Sequence, residues 1–129
     1  MISFEAFRQT DGTPIYLQII RYIQQGLAAG TIRDGDELPS RRVVSALLAV
    51  NPNTVQKAFR LLEDEGLVVS RAGAKSYVQA SPQQIAALRR VLLETEMQAM
   101  VGAAKRIGLT REEAHRLLDT LYDKEGTDA

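Results

Sequence analysis

Residues 50–59, VNPNTVQKAF, place a proline between two asparagines at the start of a run with helical spacing. Asn51 is a good N-cap residue, and Pro52 fits the first helical position, where its missing N–H is not needed. The segment therefore predicts the start of a helix. Apolar residues then recur at i, i+3, i+4 and i+7, which predicts a buried stripe made of Val55, Ala58, Phe59 and Leu62.

The opposite face of this predicted helix carries polar and basic side chains and no acid. No Asp or Glu occurs from Leu38 through Leu62, and acids return only at Glu63, after which Gly66 ends the helix. Side chains of this kind can donate hydrogen bonds to base edges and phosphates, and none repels a phosphate. The face is formed by Asn53, Gln56, Lys57 and Arg60.

Two more helices are predicted before this one. Pro14 suits the first turn of a helix, Gly30 suits its end, and the apolar stripe between them consists of Tyr16, Ile19, Ile20, Ile23 and Leu27. Residues 31–40 read as a loop with a turn at Asp34-Gly35. Ser40 can cap the next helix. We expect its inward face to contain Val43, Val44, Leu47 and Leu48.

Two arginines occupy the first turn of that second helix. Arg41 and Arg42 lie at the end where the helix macrodipole is positive, which disfavours cations. An external anion is the simplest reason for their presence. The alternative is that they only extend over the surface with their charged ends in water.

Residues 67–81, LVVSRAGAKSYVQAS, predict a β-hairpin. Two runs rich in β-forming residues flank Ala72-Gly73-Ala74, and Gly73 supplies the turn. Arg71 and Lys75 lie at the tip. Three helices followed by such a hairpin predict a winged helix-turn-helix, whose later helix enters the major groove of DNA.

The pattern changes from Pro82 onward. A long predicted helix ends at Gly108, and a second begins with a capping box of Thr110 and Glu113. Two such helices cannot close a core alone, so we expect them to pair with a second copy of the chain, or else to fold back on the N-terminal domain. The apolar seam of the first is Ile85, Leu88, Leu92, Met97, Met100, Val101, Ala104 and Ile107, and that of the second is Leu117, Leu118, Leu121 and Tyr122.

These elements predict a mainly α fold with a small β-wing. We expect a winged helix-turn-helix domain at residues 11–80, followed by a two-helix dimerisation region at residues 81–126. The partners expected are double-stranded DNA and a second copy of the same chain.

Composition narrows the functional classes. The 129 residues include 16 basic and 16 acidic side chains, so a general polyanion binder is disfavoured, although the basic residues are locally clustered. Random scatter of surface charge is the alternative to an oriented basic face. There is no cysteine, no spaced set of metal ligands, no Gly-rich phosphate loop and one histidine, His115, which we expect to be solvated. We therefore expect no enzyme, metal or cofactor. The N-terminus lacks the features of a secretory signal, so we expect a cytoplasmic protein.

Residues 38–78, LPSRRVVSALLAVNPNTVQKAFRLLEDEGLVVSRAGAKSYV, resemble the GntR family of bacterial transcription regulators. The family pattern has Leu-Pro-Ser-x-Arg, a turn, an Asn/Thr-rich recognition helix, Leu-Glu-x-Glu-Gly-Leu and a wing. The segments PIYLQI and VNPNTV, with a short C-terminal part, are similar to its YtrA-type subfamily. The resemblance covers nearly the whole chain, and residues 38–78 are its specific part.

The resemblance implies roles for individual residues in DNA binding. Ser40 and Arg42 would hold phosphates at the start of the second helix. The wing at the minor groove would consist of Arg71, Gly73 and Lys75. The recognition helix would present Asn51, Asn53, Thr54, Gln56 and Lys57.

The chain departs from the family pattern at two places. Only Gly73 remains in the wing, where the family often has two glycines, and the turn carries Ala49 where glycine is usual, which suggests a slightly different turn geometry. The family analogy implies repression of a transporter operon, and the chain is too short for the effector domain of larger members. The alternative function is a winged helix that binds protein and not DNA, which salt-dependent binding to duplex DNA would distinguish.

Overall fold

The computed structural model describes residues 1–71 and 75–125. The chain divides into two compact units, Met1–Arg90 and a second unit that begins at Val91. Five helices and a small three-stranded antiparallel sheet make up the described parts of the chain, which confirms the mainly α fold with a β-wing. None of the described helices combines the length and the apolar character needed to cross a membrane.

Three helices of the first unit form where the sequence patterns predict them. Helix α1 spans Ile15–Ala29, α2 spans Arg41–Leu48 and α3 spans Pro52–Asp64. Gly30 follows α1 with a φ of 85°, a left-handed conformation that ends a helix without the steric penalty that a Cβ would bring. The buried stripe of α3 consists of the four predicted residues, Val55, Ala58, Phe59 and Leu62.

The sheet contains one strand that the sequence did not predict. Strand β1 (Glu37–Leu38) lies in the segment predicted as a loop, and it pairs with β3 (Lys75–Val78), which also pairs with β2 (Val68–Arg71). The two predicted hairpin strands are confirmed. A two-residue strand has no alternating pattern of its own, and its pairing with β3 comes from a distant part of the chain, so local sequence gives no signal for it.

The predicted inward face of α2 is wrong for two of its four residues. Val44 is fully buried and Leu48 is half-buried, but Val43 is 46% exposed and Leu47 is 64% exposed. A helix of eight residues makes only about two turns, so only two residues spaced by four face the core. Val44 and Leu48 form that stripe, while Val43 and Leu47 lie one residue away from it on the solvent side.

The N-terminal segment also belongs to the core of the first unit. Ile2, Phe4 and Phe7 are buried, and the two phenylalanine rings pack with Tyr22 of α1 at centroid distances of 5.1 and 5.4 Å. The backbone N–H of Ile2 donates to the carbonyl oxygen of Glu37 at 2.8 Å, beside strand β1. The sequence assigned no element to these residues, because three apolar side chains at spacings of two and three are too few to distinguish a strand from a helix.

Two long helices follow the winged part. Helix α4 spans Pro82–Ile107 and α5 spans Arg111–Glu125, with Gly108 between them at a φ of 88°. The predicted capping box is confirmed: the Thr110 N–H donates to Oε1 of Glu113 at 2.9 Å, and the Glu113 N–H donates to Oγ1 of Thr110 at 3.1 Å. The Thr110 backbone, and secondly its side chain, lower the pKa of the Glu113 carboxyl below its ordinary value.

Candidate nucleic-acid interface

The two helices of the predicted helix-turn-helix begin with side-chain caps. Oγ of Ser40 accepts the Val43 N–H at 3.2 Å, and Oδ1 of Asn51 accepts the Asn53 N–H at 2.8 Å. Pro52 occupies the first position of α3, as predicted. These caps confirm that the two polar residues define the helix starts, which fixes where the exposed side chains of α2 and α3 point.

The turn between α2 and α3 depends on Ala49. This residue has φ 54° and ψ 47°, the left-handed conformation that glycine favours. The turn is tied by two hydrogen bonds between Ser45 and Val50: the Val50 N–H donates to the Ser45 carbonyl at 3.1 Å, and the Ser45 hydroxyl donates to the Val50 carbonyl at 2.6 Å. Ala49 therefore takes a left-handed backbone conformation that glycine adopts without a steric cost, whereas alanine adopts it at a cost in energy.

The N-terminal segment supports the same turn from outside. The side-chain amide of Gln9 donates to the carbonyl oxygen of Leu48 at 2.9 Å, which satisfies one of the last carbonyls of α2. This contact joins residues 39 positions apart in sequence. The segment before residue 11 thus contributes to the structure of the helix-turn-helix as well as to the core.

The outward face of α3 presents the polar residues that the sequence places there. Thr54 is half-buried, whereas the five exposed polar residues between positions 51 and 60 include both amides expected at base edges. Because the helix turns about 100° per residue, these side chains spread over a broad arc opposite the buried stripe. The exposed residues are Asn51, Asn53, Gln56, Lys57 and Arg60.

On the flank of α3 that faces α2, Arg41 is held by the protein itself. Its Nη2 lies 3.3 Å from Oε1 of Glu63, and its guanidinium carbon lies 5.4 Å from the centre of the Phe59 ring. Its Nε is buried and has no hydrogen-bond partner within the described residues. The Glu63 carboxylate supplies a negative charge for Arg41 within the protein, so an external anion is not needed to explain this arginine. Its neighbour Arg42 is exposed.

On the opposite flank of α3, Lys57 lies over an aromatic ring of α1. Its Nζ is 4.0 Å from the centre of the Tyr16 ring. This distance is well inside the range of about 6 Å over which a cation is attracted to an aromatic face. The helical pattern of the sequence places Tyr16 only in the buried stripe of α1, because the approach of α1 to α3 is a tertiary contact with no local signal.

The wing brings two cations to its outer end. Arg71 and Lys75 are paired across β2 and β3, and both are exposed. The Arg71 guanidinium carbon lies 5.1 Å from the centre of the Tyr77 ring. Gly73, which was predicted to form the turn of the wing, lies outside the described residues together with Ala72 and Ala74.

The residues predicted for dimerisation do not all share one environment. Ile85 and Leu88 are half-buried against the hydrophobic core of the first unit. In the second unit, α4 and α5 leave an apolar groove whose edge carries Lys105, Arg111 and His115. Leu92, Ala104 and Leu118 are half-buried, and the residues exposed by 41% to 76% are Met97, Met100, Val101, Ile107, Leu117 and Leu121.

Taken by its chemistry, the first unit offers amides, hydroxyls and cations on the exposed sides of α2, α3 and the wing. No group of three or more His, Cys, Asp or Glu side chains in residues 1–71 and 75–125 is arranged to hold a metal ion. The arrangement can hydrogen-bond to base edges and neutralise phosphates. It is the arrangement of a helix-turn-helix with a basic wing.

Comparison with known proteins gives the same classification. A family model described as bacterial regulatory proteins of the gntR family matches residues 15–78. The HTH-type transcriptional repressor YtrA of Bacillus subtilis (strain 168) is 30% identical over 104 residues, which cover 80% of this chain and 80% of that protein. The uncharacterized HTH-type transcriptional regulator YhcF of the same strain is 34% identical over 100 residues, with 78% and 83% covered.

Among solved structures, a GntR family transcriptional regulator from Listeria monocytogenes is similar over most of its length. It superposes with a TM-score of 0.79 at 27% sequence identity, and the match covers 87% of this chain and 98% of that one. The similarity therefore extends beyond the matched family region into the C-terminal helices.

Proposed function

The chain belongs to the GntR family of bacterial regulatory proteins, which are DNA-binding transcriptional regulators and not enzymes, and we propose that it represses transcription as a homodimer on an inverted-repeat operator. The observation that carries the proposal is the outward face of α3 between residues 51 and 60, which carries no acid and exposes Asn53, Gln56 and Lys57; the exposed Asp64 comes one turn later, at the end of the helix. Repression is supported by the similarity to the B. subtilis relative YtrA, which is a transcriptional repressor.

Within this proposal, the phosphate contacts come from exposed cations around α3. Arg42 and the capping residue Ser40 lie at the start of α2, where they can hold a phosphate against the helix end. Lys57 and Arg60 extend the same role along α3. Such contacts fix the register of the protein on the duplex without reading its sequence.

The base contacts come from the amides of α3. Asn53 and Gln56 lie on its exposed face, and an amide can donate and accept together at the major-groove edge of adenine. The wing cations Arg71 and Lys75 support contact with the minor groove. We propose Gly73 as the turn that lets the wing approach, although it lies outside the described residues.

A two-fold symmetric dimer is proposed because one winged helix-turn-helix domain contacts only a short stretch of DNA. One recognition helix reads only a few base pairs, whereas about 10⁶ or more genomic sites compete for the protein. Two copies related by a two-fold axis double the contacts and require an inverted repeat. The apolar residues of the second unit support a dimer there, because they are exposed in the single chain.

The target is proposed by family analogy as a transporter operon. A protein-binding role for the winged helix remains the competing function, and one experiment separates the two. The purified full-length protein is used to select duplexes from a random library, and binding to the selected sequence is titrated at several salt concentrations.

We expect an inverted repeat and an affinity that falls linearly with salt on logarithmic axes. The Gln56→Ala variant should lose preference at one base pair in each half-site, by about 1–3 kcal/mol. Failure to enrich any duplex, or an affinity independent of salt, would contradict DNA binding. An unchanged motif for the variant would contradict the assignment of Gln56 alone.

A further inference from the structure

Three cations of the proposed interface lie over aromatic rings. The three cation–π contacts are Arg41 with Phe59, Lys57 with Tyr16, and Arg71 with Tyr77. The Lys57 contact is the shortest of the three. From it we infer that Tyr16 is a positioning residue for DNA binding, which holds the Lys57 ammonium in place for a phosphate. This inference rests on the proposed function.

The ring of Tyr16 is a fixed support. Tyr16 lies in the first turn of α1, is half-buried and packs against the hydrophobic core of the first unit. Lys57, by contrast, is exposed on α3. The long lysine side chain therefore ends on a ring that the core holds still, and the two residues belong to different helices.

The position of Lys57 on α3 makes this support useful. Lys57 lies two residues beyond the buried Val55, which places it about 200° around the helix and on the outward side. On the other flank, the Arg41 guanidinium is occupied by Glu63. Lys57 therefore borders the outward face of α3, and no carboxylate in residues 1–71 and 75–125 forms an ion pair with it.

Contact with the ring is compatible with contact to a phosphate. An ammonium group has three N–H donors, and an aromatic face takes up only one side of it. The remaining donors point away from the ring. A flexible lysine must lose rotamer freedom when it binds a phosphate, and a lysine already held over Tyr16 has less freedom left to lose.

The alternative is that Tyr16 acts only by filling space in the core. A second alternative is that its hydroxyl touches a phosphate directly. These roles differ in what they require of the side chain: packing requires apolar volume, a direct contact requires the hydroxyl, and positioning requires the electron-rich face of the ring. Variants that change one of these properties at a time therefore distinguish them.

The test measures the affinity of the full-length protein for its selected operator by fluorescence anisotropy at several salt concentrations. Lys57→Met should weaken binding and reduce the salt slope by about one. Tyr16→Leu should weaken binding about two- to fivefold with an unchanged slope, because no phosphate contact is removed. Tyr16→Phe should restore nearly all of the affinity.

A double-mutant cycle assigns the effect to Lys57. In the Lys57→Met background, Tyr16→Leu should cause no further loss of affinity. Ile15→Ala, in the same turn of α1 and also half-buried against the core, is the matched control for lost packing and should leave affinity unchanged in the folded protein. Multiplicative effects of the two variants would overturn the inference, as would a Tyr16→Phe variant as weak as Tyr16→Leu.

A series of fluorinated phenylalanines at position 16 covers the case in which Tyr16→Leu does not fold. Fluorine withdraws electron density from the ring face and changes its size little, so affinity should fall stepwise with the number of fluorines. An affinity independent of fluorination would overturn the inference. If the unmodified protein selects no duplex, the proposed DNA binding itself is contradicted. The NMR signals of the Lys57 methylene groups then still report on the ring contact, because a nearby aromatic face shifts them upfield.

Discussion

Two adjacent arginines at the start of α2 have the same charge and different surroundings. Arg41 is 31% exposed and paired with Glu63, whereas Arg42 is exposed. Because a paired cation brings no net charge to a phosphate, Arg42→Ala should reduce the salt slope of operator binding by about one, and Arg41→Ala should leave the slope unchanged. Titrations of both variants over a range of salt concentrations check this expectation. Equal slopes for the two variants would show that their surroundings do not matter.

The Arg41–Glu63 pair has a structural role that can be measured apart from DNA. Both side chains are about one-third exposed, so the pair is partly screened by water and its stabilisation is modest. Its effect comes from joining α2 to the end of α3 beside the Phe59 ring. The sequence placed both residues on polar surfaces but gave no reason to pair them, since they are 22 positions apart.

At Ala49, a single methyl group sits in an unfavourable backbone conformation. The left-handed region costs an L-residue about 1–2 kcal/mol, while glycine loses about 0.5–1 kcal/mol more conformational entropy on folding. We therefore expect Ala49→Gly to raise the free energy of unfolding by about 0.5–1 kcal/mol. Ala46→Gly, inside the same helix pair at an exposed helical position, is the control and should lower it. Urea unfolding of both variants measures the difference, and a destabilised Ala49→Gly protein would contradict the argument.

Among the elements, the sequence predicted those whose signals are local. The stripe and caps of α3, and the capping box of α5, lie within a few residues of one another, so pattern and chemistry agree. Strand β1 and the N-terminal segment were missed because their partners lie far away in sequence. The exposed Val43 shows the same limit, since only the packing of α2 on its neighbours decides which apolar residue is buried.

The start of α5 depends on one carboxylate whose pKa is lowered in the folded state. A depressed folded pKa means that the Glu113 charge stabilises the fold above its unfolded pKa, and that this stabilisation is lost as pH falls through the folded value. Glu113→Gln keeps an acceptor without the charge. The difference in thermal stability between wild type and variant should therefore shrink from neutral pH toward acid pH. A difference independent of pH would indicate that the charge has no role in the cap.

Removal of the Thr110 side chain, the other half of the capping box, should cause a loss of stability that is partly independent of pH. Thr110→Ala removes the oxygen that accepts the Glu113 N–H, which we expect to lower stability by about 1 kcal/mol. Circular dichroism would detect this as a loss of helix that begins at lower temperature. Thr120→Ala is a matched control in the same helix, because the Thr120 hydroxyl donates only to a carbonyl one turn earlier.

At the scale of the whole molecule, the two units differ in how far their apolar residues are buried. The first unit buries a contiguous core that includes the N-terminal residues and the half-buried Ile85 and Leu88. The sequence assigned these last two to the dimer seam, because a helical stripe does not reveal what it packs against. The part of the predicted seam that lies in the second unit begins at Leu92. It belongs to a unit whose part of α4 contains no buried residue in the single chain.

The proposed homodimer would assemble through the exposed apolar residues of the second unit. Met97 is 51% exposed and lines apolar grooves on α4, so burial against a second copy would remove a large apolar side chain from water. Association also costs rotational, translational and side-chain freedom, so a charge placed in the seam is enough to shift the balance toward monomers.

We expect Met97→Glu to be monomeric at micromolar concentration and to lose most of its operator affinity, although every proposed DNA contact is intact. Thr95→Glu, exposed and about 160° around α4 from Met97, on the side away from the seam residues, is the matched control and should remain dimeric. Sedimentation velocity of the three proteins, with operator titrations on the same samples, checks both effects together. A monomeric wild type, or a Met97→Glu monomer that binds the inverted repeat as tightly as wild type, would mean that the second unit does not link two DNA-binding domains in a dimer.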